Sequence, residues 1–371
     1  MLSKLKNLDF SLIIIPLLLS ISGIALIYSL VFFDAENSLA LKQLVFLLVA
    51  IVAFVFLSTT DYKIFYGSSW YLYLFVIGLL IYVDIFGTTT GGATRWIDFK
   101  FFRLQPSEFY KFVSIIFVSS FLSRRIGRVK MIDIIYMFMM LLPPLFLILI
   151  EPDLGTALVI IFSWFIMIVF SKLSLKQYLF ITGSIVVVLT IFILSVNKIS
   201  PFESILKDYQ RNRVTTFINP SSDPFGKGYN VQQALIAVGT GGVFGRGLGH
   251  GSQSQLQFLP KAETDFIFSG FSEAFGLIGD LCLFAAFVFL LIRVIDISKI
   301  AKDNFGYLMS IGIGSTFLFQ IIVNISMNLG LAPVTGIPLP FVSYGGSSLL
   351  TSFLLVALLQ SIFIHRKKIT F

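Results

Sequence analysis

Apolar runs dominate the chain and are separated by short polar clusters. Ten of the runs approach or reach the length needed to cross a bilayer core at a rise of about 1.5 Å per residue. They cover residues 12–33, 44–59, 70–86, 107–122, 132–150, 156–170, 177–196, 266–292, 307–329 and 347–364. This pattern predicts an all-α polytopic membrane protein of ten transmembrane helices, with both ends of the chain on one side. The first run is too long for a signal-peptide core and is expected to be an uncleaved span. Between the runs lie three long polar or glycine-rich segments, 87–106, 197–264 and 330–346, and a short one at 151–155. The longest exceeds the usual ceiling for a structureless loop, so it is functional or carries helices of its own. Its Val231 to Val238 portion has a helical apolar pattern, and the glycine-dense stretch after it predicts a flexible turn. The segment 330–346 mixes Pro333, Pro338 and Pro340 with apolar residues, which suits a broken, re-entrant stretch lining a cavity.

Composition agrees with a membrane location. Of 371 residues, 57% are hydrophobic and 12% charged, against about 25% charged in a soluble domain. The single cysteine, Cys282, excludes an internal disulfide. A net charge of +8 would suit a nucleic-acid binder, but the basic residues sit in short loops, as topology signals do. No nucleic-acid partner is therefore expected. Fifteen of the 27 Lys and Arg residues fall in alternate segments beginning with Lys4 and Lys6 and ending with Arg366, Lys367 and Lys368. By the positive-inside rule both termini are cytoplasmic and the long segments are outside.

Candidate chemistry gathers on that outer side. In FLPKAETDFIF, Asp265 stands between a polar loop and an apolar run, where an acid is a functional-site hypothesis by default. In RWIDFKFFRLQPSEFYK, Glu108 and Lys111 share a helix face one turn apart. They read either as part of an anion site with Arg95 or as an interfacial ion pair with a snorkelling Lys. EPDLGTAL opens a helix with Glu151 and Asp153, which capping alone can explain. Gln320, Asn324 and Asn328 form a polar stripe of the kind that joins helices by hydrogen bonds. Glu273 and Asp280, seven apart, are expected on one helix face. His250 and His365 are the only histidines, in a loop and a tail, so a histidine base is not expected. No Walker-type loop or nucleophile elbow is present.

Taken together, GGATRWIDFKFFRLQPSEFYK, EPDLGTAL, GTGGVFGRGLGHGSQSQLQFLPKAETDFIF and TGIPLPFVSYGGSS resemble the SEDS (shape, elongation, division and sporulation) glycosyltransferases. The short N-terminus favours the RodA branch. The resemblance implies one SEDS-type transmembrane domain over residues 1–371, with a large outer loop at 197–265. It implies a peptidoglycan polymerase that acts on undecaprenyl-linked lipid II at the outer face of the bacterial cytoplasmic membrane, among membrane lipids. A class B penicillin-binding protein would be its partner, docking on helices eight and nine and the long outer loop. Asp265 would be the catalytic acid, deprotonating the acceptor sugar hydroxyl. Arg95, Glu108, Lys111, Glu151, Asp153 and Ser343 would bind substrate, and a divalent cation (Mg or Mn) of unidentified ligands would assist. Lys100 stands where the family usually has Gly, and Lys261 and Glu263 replace a common Glu and His beside the acid. The competing readings are a flippase of lipid-linked cell-wall precursors, since broken helices line transport pathways, and a non-enzymatic scaffold.

Overall fold

The computed structural model describes residues 8–30, 38–90, 93–99, 102–125, 129–202, 206, 208–219, 223, 226–256 and 258–366. Lys4, Lys6, Lys100, Arg128, Lys367, Lys368 and the end of the first run, residues 31–33, lie outside them.

The apolar runs form helices α1 (Ser11–Leu30), α2 (Ser38–Thr59), α3 (Ile64–Phe86), α4 (Pro106–Ser123), α5 (Met131–Ile150), α6 (Leu154–Val169) and α7 (Leu175–Val196). After the long polar segment come α11 (Ile267–Ile300), α12 (Asn304–Asn328) and α13 (Gly346–Ile364). Among the described residues, eight of these are long and apolar enough to cross a membrane, which makes the protein an all-α polytopic membrane protein. The other two are α4, rich in serine and buried along most of its 18 residues, and α6, of 16 residues. Several helices start beyond the apolar runs because caps set the ends. Asp303 accepts from Gly306 N at 2.9 Å to begin α12, and Pro106 occupies the first turn of α4, where its missing N–H costs nothing.

The long polar segment carries α8 (Asp208–Ile218), α9 (Lys227–Gly241) and the short α10 (Ser252–Gln255). The segment 87–106 departs from an all-helical expectation: β1 (Thr88–Thr90), β2 (Ala93–Asp98) and β3 (Arg103–Leu104) pair antiparallel in the order β1-β2-β3. Its threonines and alternating side chains favour an extended ribbon.

Two helix-level expectations are corrected. The glycine-dense stretch after α9 is not a loose turn, because its backbone is hydrogen-bonded to α11. Leu277 N donates to Gly242 O at 2.9 Å, Arg246 N to Glu273 O at 2.9 Å and Gly247 N to Ala274 O at 2.9 Å. These bonds require α11 to break at Gly276, whose φ of 64° is open to glycine at little cost. The break separates Glu273 from Asp280, so the spacing of seven does not give one continuous face. Glu273 is fully buried and accepts from Gln253 N at 2.8 Å and Ser254 N at 3.0 Å, capping α10. Asp280 instead accepts from Ser272 Oγ at 2.9 Å.

Candidate functional site

The residues after α12 form no helix until α13 begins at Gly346. Yet Ile337, Leu339, Phe341 and Val342 are buried. Irregular backbone that is buried must find hydrogen-bond partners inside the protein. Ser343 supplies two of them: its hydroxyl accepts from Leu339 N at 2.8 Å and donates to Thr264 O at 2.9 Å. Tyr344 N donates to Glu263 O at 2.8 Å. On the other side, Gln43 donates from Nε2 to Ser343 O at 3.2 Å and accepts at Oε1 from Gly345 N at 3.1 Å. Ser343 thus latches the irregular segment to the chain just before Asp265.

Asp265 is half-buried at the mouth of α11. The polar stripe of α12 holds its backbone: Asn324 Nδ2 and Asn328 Nδ2 each donate to Asp265 O at 3.1 Å. Asn324 Nδ2 also donates to Ile337 O at 2.8 Å, and Asn328 Oδ1 accepts from Ser269 Oγ at 2.7 Å. The stripe therefore joins helices, as its spacing implied, and fixes the acid relative to the irregular segment. Gly336 lies beside the carboxylate, where a Cβ would be in ordinary contact 3.5 Å from Asp265 Oδ2, and its φ of 76° favours glycine.

The EPDLGTAL turn packs against the same segment. Gly155 backs onto it so closely that a Cβ would sit 3.0 Å from Thr335 O and 2.8 Å from Ile337 Cγ1. Asp153 caps α6, accepting from Thr156 N at 3.1 Å and Thr156 Oγ1 at 2.9 Å. It also accepts from Gln105 Nε2 at 2.9 Å and Ser107 Oγ at 3.3 Å, which ties α6 to the start of α4. Arg95, on β2, donates to Glu151 O at 2.5 Å and Pro152 O at 2.7 Å, pinning the ribbon on this turn. The Glu151 carboxyl is buried, and neither of its oxygens has a hydrogen-bond partner among the described residues. Burial, reinforced by the neighbouring Asp153 charge and opposed by Arg95, pushes Glu151 up from 4.5 to about 8.

Glu108 and Lys111 pair with each other at 2.7 Å, both almost wholly buried, on the face of α4 that packs among α3, α6, α12 and α13. Ser347 Oγ accepts from Gln105 N at 3.0 Å and donates to Arg103 O at 3.2 Å, so the start of α13 holds the end of β3 and the start of α4. Segment 335–347 is thereby the common neighbour of the Asp265 turn, the EPDLGTAL turn and the QPSE turn. Arg213, on α8, adds the large outer loop by donating to Thr335 O at 2.8 Å. Gln43 and Arg213 were missed in the sequence. Gln43 adjoins an apolar run, where it looks like a helix end, and Arg213 lies in a polar stretch without distinguishing pattern.

The arrangement offers one half-buried carboxylate fixed through its backbone, a buried cation–carboxylate pair, and a buried carboxyl that burial pushes up to about 8. Such a set can move a proton and balance anionic charge next to apolar helices. Among the described residues no group of three or more His, Cys, Asp or Glu could hold a metal ion.

Comparison with known proteins places this arrangement in a family. The model for the FtsW, RodA and SpoVE family, described as "Cell cycle protein", matches residues 5–368. The peptidoglycan glycosyltransferase MrdB of Escherichia coli K12 is 36% identical over 320 residues, covering 86% of this chain and 84% of that protein. The stage V sporulation protein E of Bacillus subtilis is 34% identical over 380 residues, covering 98% of each. Among solved structures, a peptidoglycan synthase complex described as coordinating polymerization and crosslinking contains a chain with TM-score 0.79 and 25% identity. The match covers 96% of this chain and 97% of that one. The rod shape determining protein RodA of Thermus thermophilus matches with TM-score 0.68 and 25% identity, over 97% and 98% of the two chains. With the family model spanning nearly its whole length, this chain belongs to the FtsW/RodA/SpoVE family, the SEDS proteins.

Proposed function

We propose that the chain is a peptidoglycan glycosyltransferase of the RodA type, polymerising lipid II into glycan strands during cell elongation. The observation that carries this is the convergence of the Asp265, EPDLGTAL and QPSE turns on segment 335–347, in a family whose relatives are named peptidoglycan glycosyltransferases. Asp265 is the base. As the acceptor sugar hydroxyl oxygen bonds to the anomeric carbon of the donor, its proton passes to the Asp265 carboxylate. The bond from that carbon to the lipid diphosphate breaks, and the diphosphate leaves with the electron pair. The donor is already activated, so a second carboxylate is not needed to protonate a leaving group, unlike in hydrolysis. Lys111, held by Glu108, and Arg95 supply positive charge toward the diphosphate. Asp153 and Ser343 shape the substrate site through the turns they brace, and Glu151 lies in the turn that Arg95 holds by its backbone carbonyl. The described residues offer no cluster that would hold a metal, so a divalent cation would accompany the diphosphate as its counter-ion.

The reading places ten crossings in the cytoplasmic membrane, with α4 and α6 completing the eight longer helices. Both termini lie inside, the site faces outside, and segment 330–346 is re-entrant. Residues 1–371 form one SEDS-type domain with its large outer loop at 197–265. The partner is a class B penicillin-binding protein, in keeping with the synthase complex among the similar structures. A transport pathway would need polar groups free at depth, whereas Glu273, Asp280, Asn324 and Asn328 are engaged in local hydrogen bonds. The test is to add lipid II to the purified chain in liposomes, with and without the partner. Glycan chains are the expected product; lipid II crossing the bilayer without product would make the chain a flippase.

A further inference from the structure

A cleft of about 310 Å³ opens between α3, α4 and α5, far along the sequence from the residues that hold Asp265. Trp70, Phe117, Phe121, Tyr136, Met140 and Arg124 line it. Its two serine hydroxyls are already satisfied inside the protein: Ser69 Oγ donates to Ser120 Oγ at 3.0 Å and Ser120 Oγ to Tyr66 O at 2.9 Å. What remains is an apolar wall, with Trp70 and Tyr136 partly open to the surroundings. Within a bilayer such a wall is covered by hydrocarbon, because water there would find no partners.

Arg124 caps the end of α4 at the mouth of this cleft. Its guanidinium lies 4.7 Å from the centre of the Tyr66 ring and donates to Tyr66 O at 2.6 Å, which fixes it in place. The neighbouring acids are otherwise engaged. Asp133 pairs with Arg125 at 3.0 Å, Asp303 with Lys63 at 3.4 Å and with Tyr62 Oη at 3.0 Å, and Asp61 accepts from Lys63 N at 3.0 Å. Among the described residues no carboxylate lies within ion-pair distance of Arg124. Lys130 adds a further positive charge on the loop leading into α5. An apolar cleft with a fixed guanidinium at its polar end, and aromatic rings at the boundary, matches the two parts of a phospholipid.

We infer that this cleft is a binding site for an anionic phospholipid, with an acyl chain between α3, α4 and α5 and the headgroup phosphate on Arg124. Guanidinium forks suit phosphate oxygens, and basic residues at an anionic lipid surface each favour binding by about fivefold. Arg124 lies about 20 Å along α4 from Lys111 by helix rise, so the site is separate from the polymerising residues and its lipid is not the substrate. It does not depend on which way the chain crosses the membrane.

The purified chain in neutral detergent is titrated with phosphatidylglycerol or with phosphatidylcholine of the same acyl chains, and retained lipid is counted by native mass spectrometry. The expected result is a preference for phosphatidylglycerol of about fivefold, lost in Arg124→Gln and kept in Arg124→Lys. Met140→Trp fills the cleft without changing charge and is expected to lower retention of both lipids. Equal retention of the two lipids by the unaltered chain would overturn the assignment, as would a preference that survives Arg124→Gln. Displacement of the lipid by inorganic phosphate at matched concentration would also overturn it, since the site would then recognise a free anion.

Discussion

Lys111 and Glu108 hold each other in a setting with almost no water, which changes what substitution there can reveal. Removing one partner leaves a buried charge unpaired, at a cost of about 3–5 kcal/mol. Lys111→Ala is therefore expected to lower Tm sharply as well as abolish polymerisation. The double variant Glu108→Gln/Lys111→Met is expected to recover most of the Tm and none of the activity, measured by thermal unfolding alongside a lipid II assay. Recovery of both would make the pair a packing device only. Glu151 gives a pH test. Its carboxyl is raised to about 8 in the folded chain, so the folded state holds its proton over a range where the unfolded chain has released it. Stability from this group is fully present below the unfolded value of 4.5 and is lost as pH rises toward 8. The unaltered chain should thus lose Tm relative to Glu151→Gln between about pH 5 and pH 8, with the gap steady above that range; a gap that does not change with pH would contradict the burial argument. Asp265 stood out in the sequence as a candidate because an acid at the edge of an apolar run has few bland explanations. Arg95 was less so, since its contacts are backbone carbonyls of a turn some 56 residues away.

At the level of elements, periodicity marked the helices but not their joints. The polar stripe of α12 was readable because residues four apart in an apolar helix must share a face. What it grips, the Asp265 carbonyl and Ile337 O, belongs to segments that no local pattern links to it. Asn328→Ala would strand Ser269 Oγ and loosen the Asp265 turn, at a cost of about 1–3 kcal/mol. Its expected signature is a larger loss of polymerisation than of Tm, whereas equal losses would limit the stripe to helix joining. The break at Gly276 was invisible for another reason: one glycine in an apolar run has no neighbour in sequence that announces a positive φ. Gly276→Ala must place a Cβ 2.3 Å from Gly245 N in a backbone region that alanine avoids. It should separate the glycine-dense clasp from α11 and raise proteolytic cleavage after α9; unchanged protection would mean that the clasp is held elsewhere.

For the molecule as a whole, hydropathy and charge were enough to give a multi-pass helical membrane protein. The antiparallel ribbon at 88–104 escaped because its strands are only a few residues long. The site escaped as a place, although its motifs did not escape as residues: the three turns are brought together by segment 335–347, whose prolines and glycines hide its role as their common neighbour. In the proposed function, Asp265 is the group whose chemistry the rest of the site serves. The direct measurement is glycan-strand synthesis from lipid II by the purified complex with its penicillin-binding protein, comparing the unaltered chain with Asp265→Asn. The account predicts that the unaltered complex makes strands, while Asp265→Asn folds, binds its partner and makes none. Strands formed by a folded Asp265→Asn complex at the unaltered rate would contradict it.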